Sequence, residues 1–192
     1  MGQVQTVRAY TMIRPWYPPA EPSVSIRAVV RAILPGGEDF ALKLRSHLDV
    51  ESCILGVSGR ALLSRLLTSL KDRSEESRHK VLIPGYTCYS VAASVARAGL
   101  KISCYDLDPS SFVPDMDSVR AEADEGTLAI LGQHLFGIPT PMDGLLQEAR
   151  RVGASLIEDA AQGFGGSIRG RQLGTFGDYG LYSFGRGKPL PL

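Results

Sequence analysis

From Lys80 onward, short apolar runs alternate with segments of helical periodicity: "KVLI", "TCYSVAASVARAG", "KISCYDLD", "DMDSVRAEAD", "LAILG", "PMDGLLQEARRVG" and "ASLIED". Strands separated by helices of that length do not return as tight hairpins; each connection crosses over, so successive strands run parallel. The alternation predicts an α/β domain with a mostly parallel sheet and helices on both faces. Two further helices precede it. "PGGEDFALKLRSHL" combines a Gly-Gly break and an acidic first turn with Phe40, Leu44 and Leu48 at spacings of four. "SGRALLSRLLTSLKDR" places Leu62, Leu63, Leu66, Leu67 and Leu70 on one stripe, and the charged "KDRSEESRHK" reads as a solvated connection. Residues 1–36 hold Pro15, Pro18, Pro19 and Pro22 around Trp16 and Tyr17, which predicts an extended arm ahead of a domain over residues 37–192.

Composition narrows the partners. A chain of 192 residues with 44% hydrophobic content is long enough to bury one domain's core. Its 21 basic and 20 acidic side chains give a formal charge of +1, which supplies no pull on nucleic acid or an anionic membrane surface. A small-molecule ligand is the expectation. Cys53, Cys88 and Cys104 form an odd set without metal-ligand spacing, so neither a disulfide framework nor a zinc site is expected. That usage fits a reducing, cytoplasmic compartment. The stretch "MGQVQTVRAYTMIRPWYPPAEP" lacks a basic start followed by an apolar run, and no apolar stretch reaches membrane-spanning length.

In a parallel α/β sheet, ligands bind beyond the carboxyl ends of the strands, which filters the polar residues. Of the five lysines, Lys80 and Lys101 precede their strands, while Lys43 and Lys71 sit on helices or their ends. Only Lys188 follows the end of an apolar run, "YGLYSF", presented by the turn Gly185 to Gly187. A lysine there can bond a ligand carbonyl as a Schiff base, although taken singly it reads as a surface lysine. Asp159 closes "ASLIED". Because strand residues alternate in direction, Glu158 and Asp159 cannot both face one site, so one is the acid and the other a structural neighbour. A buried carboxylate can hold a proton on a pyridine nitrogen; taken singly, an acid closing a strand is a cap or turn former. Ser58 and Gly59 open a helix whose free N–H groups favour an anion, and Ser183 lies within reach as a hydroxyl donor. An aldehyde anchor, a ring-nitrogen partner and a phosphate cradle together describe a pyridoxal phosphate (PLP) site.

"SLIEDAAQGFGGSIRGRQLGTFGDYGLYSFGRGK" resembles the Glu-Asp-Ala-Ala-Gln, glycine-rich loop and Ser-Phe-(three residues)-Lys signature of the DegT/DnrJ/StrS aminotransferases. "GVSGRALLSRLL", "VLIPGYTCYSVAASVARAGLKISCYDLDP" and "LAILGQHLFGIPTPMDGLLQEARRVG" agree in order, so the resemblance spans Gly37 to Lys188. It implies the PLP-binding large domain of the aspartate aminotransferase fold (fold type I), cut before the smaller C-terminal domain. It further implies that Lys188 forms the Schiff base and shuttles a proton, and that Asp159 pairs with the pyridine nitrogen. By the same resemblance Gln162 lies against the ring, Ser183 binds the phosphate, and the backbone of Ser58, Gly59 and Arg60 completes the phosphate cup. "GQHLFG" corresponds to a family loop near the cofactor, where His134 has either a structural hydrogen-bonding role or a direct cofactor role.

The sequence departs from the family at two site positions. Where an aromatic side chain usually stacks on the cofactor, this chain has Cys88, flanked by Tyr86 and Tyr89; a helix turns successive residues by about 100°, so Tyr89 does not simply replace it. Arg60 stands where a small hydroxyl residue is common. The resemblance implies a homodimer with shared active sites that transfers an amino group, from glutamate as amino-acid donor, to a keto group on a nucleotide sugar. Retention of Lys188 favours transamination over dehydration, for which relatives commonly carry histidine. The alternative is a truncated, inactive fragment or a PLP-binding regulatory or interaction module, exposing apolar surface at an unpaired strand. A dinucleotide-binding domain is disfavoured because no Gly-x-Gly-x-x-Gly links the first apolar run to its helix.

Overall fold

A computed structural model describes residues 39–185 and 187–189; the predicted arm over residues 1–36 lies outside the described residues. Helix α1 (Phe40–Leu48) starts at Asp39, whose side chain accepts from the Ala41 N–H, and it buries Leu44 and Leu48. Helix α2 (Gly59–Asp72) starts at Ser58, whose hydroxyl oxygen accepts from the Ala61 N–H, and it buries Leu63 and Leu67 of the predicted stripe. "CILGV" between them forms no strand, and Ile54, Leu55 and Val57 are exposed at 78%, 50% and 99%.

The predicted alternation follows: β1 (Lys80–Pro84), α3 (Tyr89–Arg97), β2 (Lys101–Tyr105), α4 (Met116–Glu122), β3 (Thr127–Gln133), α5 (Asp143–Val152) and β4 (Ser155–Asp159). The glycine-rich stretch then folds into a small antiparallel hairpin, β5 (Ser167–Ile168) and β6 (Arg171–Gln172), which the sequence reading did not contain. Strand β7 (Tyr179–Leu181) takes the first half of "YGLYSF" and pairs in parallel with β4. The sheet order is β2-β1-β3-β4-β7, parallel throughout. Strand β3 is central and buried at all seven positions, as its unbroken apolar run requires.

Side-chain alternation divides the core in two. Val81, Ile83, Leu131 and Ile157 face α2 and α3, packing with Leu63, Leu67, Val91 and Val95. Leu82, Ile130 and Leu156 face α4 and α5, packing with Val119, Leu145 and Ala149. Truncating a side chain such as Leu131, fully buried, to alanine costs about 2–5 kcal/mol.

Lys80, before β1, is structural as predicted, and helical Lys71 is likewise tied to a backbone carbonyl. Lys80 Nζ donates to Asp124 and to the Glu122 carbonyl, and Lys71 Nζ donates to the Gly99 carbonyl. Helix α1 reaches the far end of the sheet through aromatic contacts: Phe40 meets Phe184 edge-on at 5.3 Å, and Phe164 meets both Phe184 and Tyr182. Tyr182 donates its hydroxyl to the Leu173 carbonyl at 2.7 Å, locking the segment that carries Ser183 onto the hairpin loop. The approach is close enough to require glycine. At Gly174, with φ of +90°, an added Cβ would run into the Tyr182 ring.

Candidate functional site

Strands β3 and β4 end side by side, with Gln133 registered against Asp159 and Gly132 against Glu158. The His134 N–H donates to the Asp159 carbonyl, prolonging the pairing by one step. Alternation then sends Glu158 and His134 to one side, and Asp159 and Gln133 to the other. On the first side, the Glu158 carboxylate is fully buried and accepts from His134 Nε2 (2.7 Å) and from the N–H groups of Gly174 (2.6 Å), Phe176 (2.6 Å) and Gly177 (3.0 Å). Burial pushes this carboxyl up, but the hydrogen bonds from His134, Gly174 and Gly177 outweigh it and hold Glu158 below the usual range. His134 Nδ1 accepts from the Thr140 N–H at 3.0 Å, so its proton sits on Nε2 and is donated to Glu158. Both ring nitrogens are thereby committed to protein partners, which matches the structural of the two readings of His134.

On the second side, Asp159 Oδ1 accepts from the Ala161 N–H at 3.0 Å. Burial raises its carboxyl above the ordinary value, a shift that the Ala161 N–H and the Lys188 ammonium reduce but do not reverse. It borders a cavity of about 480 Å³ that also takes in Ser58, Gly59, Arg60, Cys88, Gln162, Ser183 and Lys188. The structure therefore brings together all eight site residues read from the sequence. They come from four places in the chain: the start of α2, the start of α3, the end of β4, and the segment after β7.

Each contributor has a local cause. Ser58 caps α2 and leaves the Gly59 and Arg60 N–H groups at the cavity, where the helix dipole adds positive potential. Arg60 lies over the exposed Tyr89 ring, 5.8 Å from its centroid, at the cavity wall. Cys88 begins α3 without a side-chain cap, and its Sγ lies 3.1 Å from Ser90 Oγ. The Ser90 hydroxyl and N–H hold the Cys88 thiol below its ordinary pKa, with Lys188 adding to the shift and Asp159 opposing it. Gln162 Oε1 accepts from the Phe136 N–H at 2.8 Å. The Lys188 N–H donates to the Gly185 carbonyl at 3.1 Å, so the lysine leaves from a tight turn.

Two residues at this site were not read from the sequence. Buried Gln133 donates Nε2 to the Tyr86 carbonyl (2.6 Å) and accepts from the Thr87 hydroxyl (2.7 Å), fixing the segment that leads to Cys88. Fully buried Ser94 sets its hydroxyl within hydrogen-bonding distance of the carbonyls of Ser90 (2.7 Å) and Arg60 (3.2 Å), tying α3 to α2 beside the cavity. The position of Gln133 at a strand end was the available signal; Ser94, inside an apolar helix face, offered only its polarity.

A parallel sheet carrying a lysine, a carboxylate and a helix start around one cavity at its carboxyl edge defines the large domain of fold-type I PLP enzymes. The chain belongs to the DegT/DnrJ/EryC1/StrS aminotransferase family, whose model matches residues 33–192. It is similar to the UDP-N-acetyl-3-dehydro-alpha-D-glucosamine 3-aminotransferase of Acidithiobacillus ferrooxidans, 29% identical over 190 residues, covering 89% of this chain and 51% of the relative. It is also 30% identical over 151 residues to the L-glutamine:2-deoxy-scyllo-inosose aminotransferase of Streptomyces kanamyceticus, covering 79% of this chain and 35% of that one. Among solved structures, the E. coli GDP-4-keto-6-deoxy-D-mannose-3-dehydratase with bound hydrated PLP shares the fold at a TM-score of 0.76 and 18% identity, covering 91% of this chain and 48% of that one. The chain thus spans about half or less of the length of these relatives. PLP is the cofactor that the family implies.

Proposed function

We propose that this chain is the cofactor-binding part of a PLP-dependent aminotransferase that moves an amino group, from glutamate as donor, to a keto group on a nucleotide sugar. The observation that carries the reading is the convergence of Lys188, Asp159 and the open start of α2 on one cavity. The donor set fits PLP at three points. Free N–H groups at Gly59 and Arg60, with the Ser183 hydroxyl, suit a phosphate. Asp159 suits a protonated ring nitrogen. Lys188 suits an aldehyde.

When bound, PLP supplies an electron sink for the negative charge left after a proton leaves the substrate carbon. Lys188 Nζ is the amine that would hold the aldehyde of bound PLP, and as a free amine at the same place it would serve as the base that moves that proton. Asp159, whose pKa is raised by burial, would hold a protonated ring nitrogen, and a cation there would favour its charged form. Gln162 is oriented by the Phe136 N–H, which occupies its amide oxygen, so its amide nitrogen would be the group offered to a bound cofactor. Glu158 and His134 act from behind, holding the loop at Gly174 to Gly177 and with it β7.

The same reading includes a homodimer and a cytoplasmic setting. Supporting the first are exposed apolar side chains beside the cavity, with Val57 at 99% and Tyr89 at 74% exposure. Supporting the second are three free cysteines and the finding that no helix among the described residues is long and apolar enough to cross a membrane.

The test is to incubate the purified chain with PLP, reduce with borohydride, and map the modified peptide by mass spectrometry beside Lys188→Ala. Stoichiometric label confined to Lys188, absent in the variant, is the expected result; scattered or absent label would overturn the assignment. Conversion of the labelled species' absorbance by glutamate, before reduction, then tests the amino donor.

A further inference from the structure

Arg60 is the second residue of α2, and the cofactor reading uses its N–H but not its side chain. Helical side chains lean toward the N-terminus of their helix, so one in the first turn is carried toward the end where the free N–H groups stand. Here that end opens on the cavity, and Arg60 lines it. Its backbone is fixed, because the Arg60 carbonyl lies 3.2 Å from the hydroxyl of buried Ser94. Its guanidinium is not. Among the described residues it makes no hydrogen bond or ion pair, and its one contact is the exposed Tyr89 ring, 5.8 Å from the centroid.

Charge balance gives that free guanidinium a task. Among the described residues lining the cavity, Arg60 and Lys188 are the two basic side chains other than His134, whose ring nitrogens are both engaged. Lys188 is assigned to the aldehyde, and Asp159 brings a negative charge when it faces a protonated ring nitrogen. A phosphate ester is close to a dianion at neutral pH, so it would meet the Gly59 and Arg60 N–H groups and the Ser183 hydroxyl with the helix's partial charge as their main electrostatic support. A guanidinium supplies the missing full charge and two forked donors. Leaving a solvent-exposed ring for a charge-assisted pair is the favourable direction.

We infer that the Arg60 side chain is a phosphate ligand parked on Tyr89, and that it makes the site select phosphorylated over unphosphorylated pyridoxal by charge. The inference rests on reading the cavity as a PLP site and deepens it at one residue. Where a small hydroxyl residue is common in the family, this chain trades one neutral hydrogen bond for an ionic one. Selectivity for the phosphate therefore moves from the backbone of α2 onto a side chain, where a single substitution can remove it without disturbing the Ser58 cap. Arg60 is exposed and adds nothing to the buried stripe of α2, so its replacement leaves the core intact.

The experiment titrates the full chain, Arg60→Leu and Arg60→Lys by absorbance with two probes, PLP and unphosphorylated pyridoxal. In Arg60→Leu the Kd for PLP is expected to rise by about tenfold, the scale of one charge-assisted hydrogen bond, while the Kd for pyridoxal stays within about twofold. Arg60→Lys should recover part of the loss, since it keeps the charge and gives up the fork. Raised salt should weaken PLP binding to the parent chain more than to Arg60→Leu. An equal loss for both probes would show that Arg60 acts through Tyr89 and the cavity wall, and an unchanged Kd for PLP would leave its side chain to solvent; either result overturns the inference. Borohydride labelling of Lys188 by both aldehydes in the parent chain separates the two readings. Label with an unchanged PLP-to-pyridoxal ratio in Arg60→Leu removes the role of Arg60 alone, and absence of label from both aldehydes removes the cofactor reading beneath it.

Discussion

Glu158 and Asp159 carry the same functional group one peptide bond apart, and the fold gives them opposite work. Glu158 turns to the α4 and α5 side, where four donors satisfy it and its carboxyl is held below the usual range. Asp159 turns to the cavity, where a single N–H reaches Oδ1 and burial raises its carboxyl. The first is paired by the protein itself; the second is left with capacity for a partner that arrives from outside. Alternation along one strand thus separates a scaffold acid from a binding acid without any difference in residue chemistry.

The largest effect should come from disturbing the satisfied acid. Glu158→Gln replaces a four-acceptor carboxylate by an amide whose NH₂ confronts N–H donors, leaving buried groups unpaired. We expect a loss of about 3–5 kcal/mol in urea unfolding, since breaking a buried charged network has that scale. A loss under about 1 kcal/mol would mean that the loop at Gly174 to Gly177 is held by packing instead. The pH dependence has a defined sign. With the folded pKa depressed, the unfolded chain binds more protons as pH falls, so this stability is present above the ordinary glutamate value and lost on acidification through the folded one.

Asp159→Asn should act in the opposite direction on stability and more strongly on binding. A raised folded pKa means that the ionised form is disfavoured at neutral pH, so removing the charge should raise the urea midpoint slightly at pH 7. In the parent chain the corresponding gain appears as pH falls through the folded pKa. PLP affinity, read by absorbance titration, should weaken by about tenfold or more, a loss of ~1.4 kcal/mol. A variant that loses stability and keeps PLP affinity would place Asp159 with Glu158 as scaffold.

The contrast also shows which information was local. The strand-end filter found Asp159 and Lys188 because crossover alternation and the carboxyl-edge rule follow from short-range pattern. It also established that the two acids face apart, without saying which was which. Three partners of Glu158 lie 16 to 19 residues away, in a glycine-rich loop whose hairpin has no period to read, and the fourth, His134, lies 24 residues back at the end of β3. Gln133 reaches Tyr86 across 47 positions, through adjacent parallel strands rather than through sequence. "CILGV" was apolar without forming a strand, because a strand needs a registered neighbour as well as β-forming residues.

Gln133 sharpens the comparison on the cavity side, where it sits beside Asp159 and spends its amide on the rim. Gln133→Leu keeps the volume and removes two hydrogen bonds, leaving the Tyr86 carbonyl and Thr87 hydroxyl without that partner. A cost of about 1–2 kcal/mol is expected, with faster amide hydrogen exchange confined to the segment from Tyr86 to Ser90. Uniform acceleration across the sheet would show instead that Gln133 supports the core.

The smallest effect isolates burial from donor count. Asp108 Oδ1, like Glu158, accepts from four donors: the N–H and hydroxyl of both Ser110 and Ser111. Those hydroxyls and N–H groups hold its carboxyl at about 2, yet the side chain is exposed, so water competes for every bond and takes over when one is lost. Asp108→Asn should therefore leave the urea midpoint nearly where it was, in contrast to Glu158→Gln with the same number of donors. Carboxyl NMR titration should find Asp108 ionised down to about pH 2, so its contribution is complete above the unfolded aspartate value and fades only as pH falls through the folded one. A destabilisation approaching that of Glu158→Gln would mean that the loop carrying Phe112 is integral to the fold, and that donor count outweighs burial in this chain.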